Sequence, residues 1–536
     1  MKKKFLTGFI AILLVCSGCK KVLDDIKPQD FVTPETYFKK EADATAALNA
    51  AWDMLTRQWM FSGYWQYRML AADDVYTTLT GSYPANFKID ASESSAIPLM
   101  WNNLYTTIQY CHVLLDNIDD VKMDESKRGV IKGEGLFLRA FCYFMLADQW
   151  GAVPLRLTAT AGPNDVNIAA TPAKDIYAQI LRDMTEAEEL VPATASALYG
   201  GGGYAAKTTV QGMLARVCLT MAGEPLKDVA KYKDARDWAQ KVVDSKEHAL
   251  NPDYTDIFIK LAFNQFDKKE VLWEVDFNDI QGSTEHGYIG YLNGIPGAAA
   301  SFGTSVGQVK ITRKLYNSYG TGATIKDMRR DWNCSPYTYR NTTATGADID
   351  KIFYTGAQIY DRFDSKYRLQ YIPPPRTTGR TGINFPLLRY SDVLLMLAEA
   401  ENYLNNGPTP LAYSLVNQVR ARAYGKLLPG ATNPEEADLS ATYDQASFLQ
   451  QIQDERLREL SSEGIRKQDL IRWGIYVSTM KTLATDANDP NQPPVSASWR
   501  PLVVSIGTLV SNRDLLWPIP ATELTFNNLI KQNPGW

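Results

Sequence analysis

The chain has 536 residues, with 56 Lys plus Arg against 60 Asp plus Glu and a formal net charge of −4. That length holds roughly two to four average domains or one large repeat array, and 45 % hydrophobic residues supply a full core rather than a disordered chain. The near balance of charge lacks the basic face that replaces counterions on phosphates, which excludes nucleic acid as a partner.

The chain opens with basic Met1–Lys4 and a largely apolar run from Phe5 to Val15, too short to span a bilayer as a permanent helix and fit for a secretory signal. The run ends in Cys16-Ser17-Gly18-Cys19, small residues leading into a cysteine, which looks like a bacterial lipoprotein signal with cleavage before Cys19 and acylation of its thiol. Acyl chains there supply enough buried CH₂ for stable anchoring. Cys111, Cys142 and Cys218 lie in helix-like apolar surroundings, so mostly buried thiols are expected for these and for Cys334.

Helical signals then follow in order. PLMWNNLYTTIQYCHVLLDNI and RGVIKGEGLFLRAFCYFMLADQWG read as two long helices, and Leu136 to Ala147 is apolar all round except at Arg139, which predicts burial on several sides. TPAKDIYAQILRDMTEAEELVP starts on Thr171 as N-cap with Pro172 in the first turn and repeats apolar residues at three- and four-residue intervals up to Pro192. KTTVQGMLARVCLTMAG with YKDARDWAQKVVDS, and RYSDVLLMLAEAENYL with LAYSLVNQVRARA, form further pairs. The fold class expected is all-α, a tetratricopeptide-like helix-pair scaffold without a fixed period, carrying long loop insertions. Strand signals are few, at Val271–Phe277 and Trp499–Val504. The boundaries are a signal peptide at 1–18, a helical region at 19–250 and a C-terminal region at 251–536. The latter contains a stretch at about 278–386 without sustained periodicity, rich in Gly, Thr, Asn and Tyr, which reads as a loop-built recognition surface.

Most constellations that might carry chemistry do not. Gly201 to Thr208 nearly spells a phosphate-binding loop, but Ala206 stands where Gly is needed and a helix precedes it instead of a strand. Asp392 and Glu399 on one helix face are about 10.5 Å apart along the axis, beyond the carboxylate spacing of glycoside hydrolysis. Glu455, Glu459 and Glu463 alternate with arginines, which reads as an ion-pair ladder or solvated face. Asp73-Asp74 reads as a turn or helix end, with a cation or sugar hydroxyl as the alternative. The three histidines (His112, His248, His286) are far apart and give no metal site, and no cofactor is expected.

Aromatic surface remains: 29 Tyr and 12 Trp against 19 Phe favours rings with a polar handle, suited to half-wet surfaces. Trp65 follows a Gly break, Tyr83 and Asn86 sit in a turn, Tyr288 and Tyr291 lie between glycines, and Trp332 and Tyr337 fall in DWNCSPYTYR. Sugar rings stack their C–H faces on such side chains while amide and charged neighbours satisfy hydroxyls. These seven are the candidate ligand-binding residues.

RGVIKGEGLFLRAFCYFMLADQWGAVPL, AAKTTVQGMLARVCLTMAGE, FPLLRYSDVLLMLAEAEN, DERLRELSSEGIRKQDLIRWG and the tail LLWPIPATELTFNNLIKQNPGW occur in an order that resembles the SusD/RagB family over essentially the whole mature chain. The resemblance implies a non-catalytic lipoprotein of the cell outer membrane that captures nutrient, often an oligosaccharide, for a SusC-like, TonB-dependent transporter. Capture of peptide, or surface hydrolysis of a glycan, are the alternatives. Cys218, Leu397, Asn528 and Trp536 depart from the family pattern at what are expected to be packing positions. The family's ligand residues lie outside its shared motifs, so the aromatic candidates rest on local chemistry alone.

Overall fold

The computed structural model describes residues 34–63, 70–81, 84–92, 96–160, 162, 165–194, 203–278, 286–299, 303–321, 326–339, 351–374, 379–430, 437–440 and 442–536. Helices dominate: α1 (Glu41–Asp53), α2 (Ala96–Asn117), α3 (Glu125–Trp150), α4 (Ala173–Leu190), α5 (Lys207–Ala222), α6 (Lys231–Asp244), α7 (Tyr254–Ala262), α8 (Tyr390–Leu404), α9 (Pro410–Ala423) and α10 (Gln445–Leu460). Three more follow, α11 (Arg466–Arg472), α12 (Tyr476–Ala487) and α13 (Arg500–Leu509). Consecutive members pack side by side from α2 through α6, and α8 continues the stack with α6, α9 and α10.

Local chemistry sets the ends. The Asp124 carboxylate accepts from the Lys127 amide at 3.1 Å to cap α3, and Thr409 caps α9 ahead of Pro410. α4 begins one residue later than its sequence suggests: Pro172 is itself the N-cap, while Thr171 pairs with Val153 in a two-residue ladder. α3 is covered on both flanks, by α2 and α4, which accounts for its lack of a polar face. Its one charged residue in the apolar stretch, Arg139, makes two 2.8 Å bonds to the Asp183 carboxylate of α4. Cys111, Cys142, Cys218 and Cys334 are free and buried, and burial pushes each thiol up.

Trp499–Val504 is not a strand. It opens α13, with Pro501 in the first turn and Val503 and Ile506 buried on the face that packs against α12. Helical spacing of apolar residues outweighs the β-branched run there. Of the four departures from the family pattern, Cys218 and Leu397 are fully buried, whereas Asn528 is exposed, its backbone amide donating to Asn167 Oδ1 at 3.1 Å.

The strands are short and antiparallel: β1 (Val75–Thr77) with β5 (Val309–Ile311), β2 (Val271–Val275) with β8 (Phe385–Arg389), β3 (Gly297–Ala299) with β4 (Gly303–Ser305), and β6 (Tyr337–Tyr339) with β7 (Lys351–Phe353). β2 and β8 pair Phe385 with Val275 and Arg389 with Val271. The two ends of the loop-rich insertion therefore meet in one ladder that runs straight into α8.

Charge is unusually deep in this core. Glu459 of α10 accepts from Arg422 at 2.6 Å, Arg389 at 2.9 Å and Arg329 at 2.9 Å, and all four side chains are fully buried. Glu455 bonds Arg329, Arg420 and Arg458, while Arg389 also reaches Glu270 and Glu463. A second group joins Arg216, Asp392, Arg456, Asp469, Arg472 and Glu399. The alternating charges of the α10–α11 sequence are thus an interior network and not a solvated face. Guanidinium neighbours hold Glu459 and Asp392 down at about 2 despite burial, which pushes the other way.

Candidate functional site

The carboxylates considered for chemistry are consumed by that network. Asp392 is bound by Arg216 and Arg456, Glu399 by Arg472 and the Trp473 indole N–H, and Glu455 and Glu459 by three arginines each. None faces a cleft with a free lone pair for proton transfer. Asp73 is held well below the carboxylate range by Arg466 and Lys314, and Asp74, buried beside it, is raised to about 6 and accepts from the Ser462 amide. Both tie the chain at 73–74 to α11 and the segment before it, in the interior rather than at a surface turn.

The insertion gathers aromatics around one short turn, Leu369–Tyr371. On one side runs the strap 286–294. Gly287 and Thr381 exchange backbone hydrogen bonds of 2.8 and 2.9 Å, and the Tyr288 amide donates to the Ser62 carbonyl at 3.0 Å. Carbonyls of Tyr291 and Leu292 accept from Val306 and Gln308. Gly290 has φ +79°, and a Cβ there would come within 2.9 Å of the Leu369 side chain, so glycine is required for the strap to lie against the turn. Tyr288 and Tyr291 are half-buried, with ring centroids 6.2 Å apart, and His286 meets Tyr288 edge-on at 5.2 Å. Gly379 has φ +75°, and a Cβ there would lie 3.8 Å from the Tyr291 ring.

On the other side lies Trp332, stacked on Tyr371 at 5.8 Å and covered by the Arg368 guanidinium at 4.0 Å. Its indole N–H donates to the Lys366 carbonyl at 3.1 Å, and only 6 % of its surface is exposed. Tyr337, equally buried, touches Tyr339 and Phe353, and the Lys351 ammonium sits 4.3 Å from its ring centre. The Tyr339 hydroxyl donates to Gln370 at 3.4 Å.

The structure therefore brings Tyr288, Tyr291, Trp332 and Tyr337 to one region but in two roles. Tyr288 and Tyr291 keep exposed ring surface, whereas Trp332 and Tyr337 are supports whose faces are already covered. Asn86 is buried at 3 % exposure, its amide donating to the carbonyls of Leu79 and Gly81, and it serves its own turn. Cys19, Trp65 and Tyr83 lie outside the described residues. Sequence reasoning passed over Arg368, Gln370 and Tyr371. The signal was present in SKYRLQYIPPP, where two tyrosines flank an arginine ahead of a proline run.

A cavity of about 60 Å³ near Phe61, Phe141, Arg216 and Arg456 falls far below the ~300–1,000 Å³ of small-molecule sites, and one of about 440 Å³ lined by Tyr177, Pro225, Arg472, Tyr476 and Leu516 has none of the aromatic candidates in its wall. Among the described residues no helix is long and apolar enough to cross a membrane, and no cluster of His, Cys, Asp and Glu is arranged to hold a metal ion.

Comparison with known proteins agrees with the fold. Residues 269–536 match the family described as SusD family, and residues 32–219 match one described as starch-binding associating with outer membrane. SusD-like protein P2 of Formosa agariphila is 26 % identical over the full length of both chains. A SusD homologue from Bacteroides thetaiotaomicron superposes with a TM-score of 0.83 at 25 % identity, covering 94 % of this chain and 98 % of its own. A laminarin-binding SusD-like protein superposes with a TM-score of 0.69 at 23 % identity, covering 93 % and 100 %.

Proposed function

The chain belongs to the SusD family, and from that premise we propose that it is a lipid-anchored receptor on the face of the outer membrane that binds oligosaccharide without turning it over and passes it to a SusC-like, TonB-dependent transporter. The observation that carries the binding half is the open aromatic surface around Leu369–Tyr371, where half-buried rings of Tyr288, Tyr291 and Tyr371 stand beside Gln370 and Arg368 on a braced turn. A family description that mentions starch binding and association with the outer membrane, and a structural neighbour described as laminarin-binding, favour sugar over peptide. Acylation of Cys19 supplies the tether. Asp392, Glu399, Glu455 and Glu459, each bound by arginine, favour binding over hydrolysis.

Calorimetry with a panel of neutral and acidic oligosaccharides, together with a peptide digest, tests the reading. At least one glycan is expected to bind, and Tyr291→Ala and Tyr371→Ala each to weaken it about fivefold, from about 1 kcal/mol of lost ring contact. Binding of peptides alone, or glycan affinity untouched in both variants, refutes it.

A further inference from the structure

Most buried arginines of this chain pair with a carboxylate; buried Arg362 and half-buried Arg368 do not, and Arg362 spends both terminal nitrogens on the carbonyls of Ser335 and Thr355, which Arg368 does not. Arg329, Arg389, Arg420, Arg422, Arg456, Arg466 and Arg472 each face at least one carboxylate within 3.6 Å. Arg368 faces none among the described residues. Its Nε donates to the Ser365 carbonyl at 3.1 Å, and its Nη2 to the carbonyls of Asp331 and Trp332 at 2.9 and 3.0 Å. These three bonds fix the guanidinium over Trp332, 4.0 Å from its ring centre, while leaving its full positive charge in place. Nη1 carries no bond to any described residue.

The surroundings concentrate that charge. Tyr337, Tyr339 and Tyr371 are its neighbours, and the nearby Asp331 carboxylate is turned to Arg330 at 2.8 Å. Burial pulls the guanidinium down from its ordinary value, the opposite direction to Arg329, Arg389, Arg456 and Arg472, which carboxylates push up. Lys351, exposed and also without a carboxylate among the described residues, adds a second cation over Tyr337. A half-buried cation that the described residues orient but do not neutralise is a favourable partner for an anion from outside.

We propose that the glycan bound on this surface carries an anionic substituent, a uronate carboxylate or a sulfate ester, received by Arg368 within its tyrosine cage. The inference rests on the glycan-binding reading above and adds the ligand's charge. A carboxylate or a sulfate presents two or more oxygens to Nη1 and to the tyrosine hydroxyls, while the sugar ring lies along Tyr371 and Tyr291. A neutral glycan leaves the cation without a counter-charge.

The test compares full-length protein with Arg368→Gln and Arg368→Lys against three oligosaccharide sets of matched length: neutral laminarin, oligogalacturonate and sulfated carrageenan. Wild type is expected to bind one acidic set at least tenfold more tightly than the neutral one, the set chosen separating carboxylate from sulfate. The preference should shrink with added salt, disappear in Arg368→Gln and survive in part in Arg368→Lys, with thermal melting reporting that each variant is folded. Neutral laminarin bound as tightly as either acidic set, or a preference intact in folded Arg368→Gln, overturns the charge assignment alone. No binding of any set overturns the glycan reading and this inference together.

Discussion

Replacing Glu459 by Gln should be among the most damaging single-atom changes available in this chain. The carboxylate is fully buried and accepts from three arginines at 2.6, 2.9 and 2.9 Å. Its depression from 4.5 to about 2 corresponds to about 3 kcal/mol of stability, present in full above pH 4.5 and lost as pH falls towards 2. The amide removes the charge while Arg329, Arg389 and Arg422 stay in place, and breaking a buried ion pair from one side costs about 3–5 kcal/mol. Urea unfolding at pH 7 should register that loss. At pH 3 the gap should narrow by about half, because the unfolded carboxylate is already protonated there. Glu41→Gln, which breaks a surface pair with Lys127 on side chains 39 % and 55 % exposed, serves as the control and should change stability by under about 1 kcal/mol. A loss below about 1 kcal/mol for Glu459→Gln at pH 7, or a gap that widens in acid, would show that the network is not the structural element argued here.

Asp74 runs in the opposite sense. Its carboxyl is raised to about 6 by burial and by Asp73, so its favourable contribution is complete below pH 3.8 and lost as pH rises through about 6. Asp74→Asn, with its carbonyl still able to accept from the Ser462 amide, should raise the melting temperature at pH 8 and leave it nearly unchanged at pH 4; equal shifts at both pH values would refute this. Gly223→Ala should cost about 1–3 kcal/mol, since a Cβ there collides with the Arg472 carbonyl oxygen, a backbone atom that cannot swing aside. Gly356→Ala, with nothing within 4 Å of the new atom, should melt like wild type.

The helix pairs were legible because their information is local. Caps such as Asp124 and Thr409, Pro at first turns, and apolar residues at helical spacing each lie within a few positions of the element they specify. The exception proves the same point: Trp499–Val504 has strand composition, yet Pro501 and the helical spacing of Val503 and Ile506 decide the outcome. What the sequence hid is contact across distance. Glu459 and Arg389 are separated by 70 residues and meet at 2.9 Å, so a run of alternating charge that looks solvated turns out to be the interior. The aromatic surface was half visible for the same reason. Tyr288 and Tyr291 announce exposure through neighbouring glycines, but nothing local reveals that Trp332 is roofed by Arg368 and Tyr371, contributed from 36 and 39 positions further along the chain.

The two halves of this molecule, a charged interior and an aromatic exterior, are joined through Lys366. Its ammonium is fully buried, 2.6 Å from the Glu463 carboxylate and 2.7 Å from the Ser461 carbonyl at the end of α10, with the Glu459 carbonyl at 3.1 Å. Two positions later comes Arg368, and then the Leu369–Tyr371 turn. The Lys366 carbonyl accepts from the Trp332 indole, and the adjacent Ser365 carbonyl accepts from Arg368. One short segment therefore converts the rigidity of α10 into a fixed position for Trp332, Arg368 and Tyr371. A shallow surface gains from this more than a deep pocket does. With little area to bury, its affinity depends on rings and charges that lose no freedom when ligand arrives, because ordering each loose side chain on binding costs about 0.5–1.5 kcal/mol. An apolar interior would hold the helices together equally well, but it offers no directional bond with which to set the orientation of a loop at its edge. On this argument the buried ion pairs serve the proposed binding surface by orienting it, and Lys366 is the residue through which they do so.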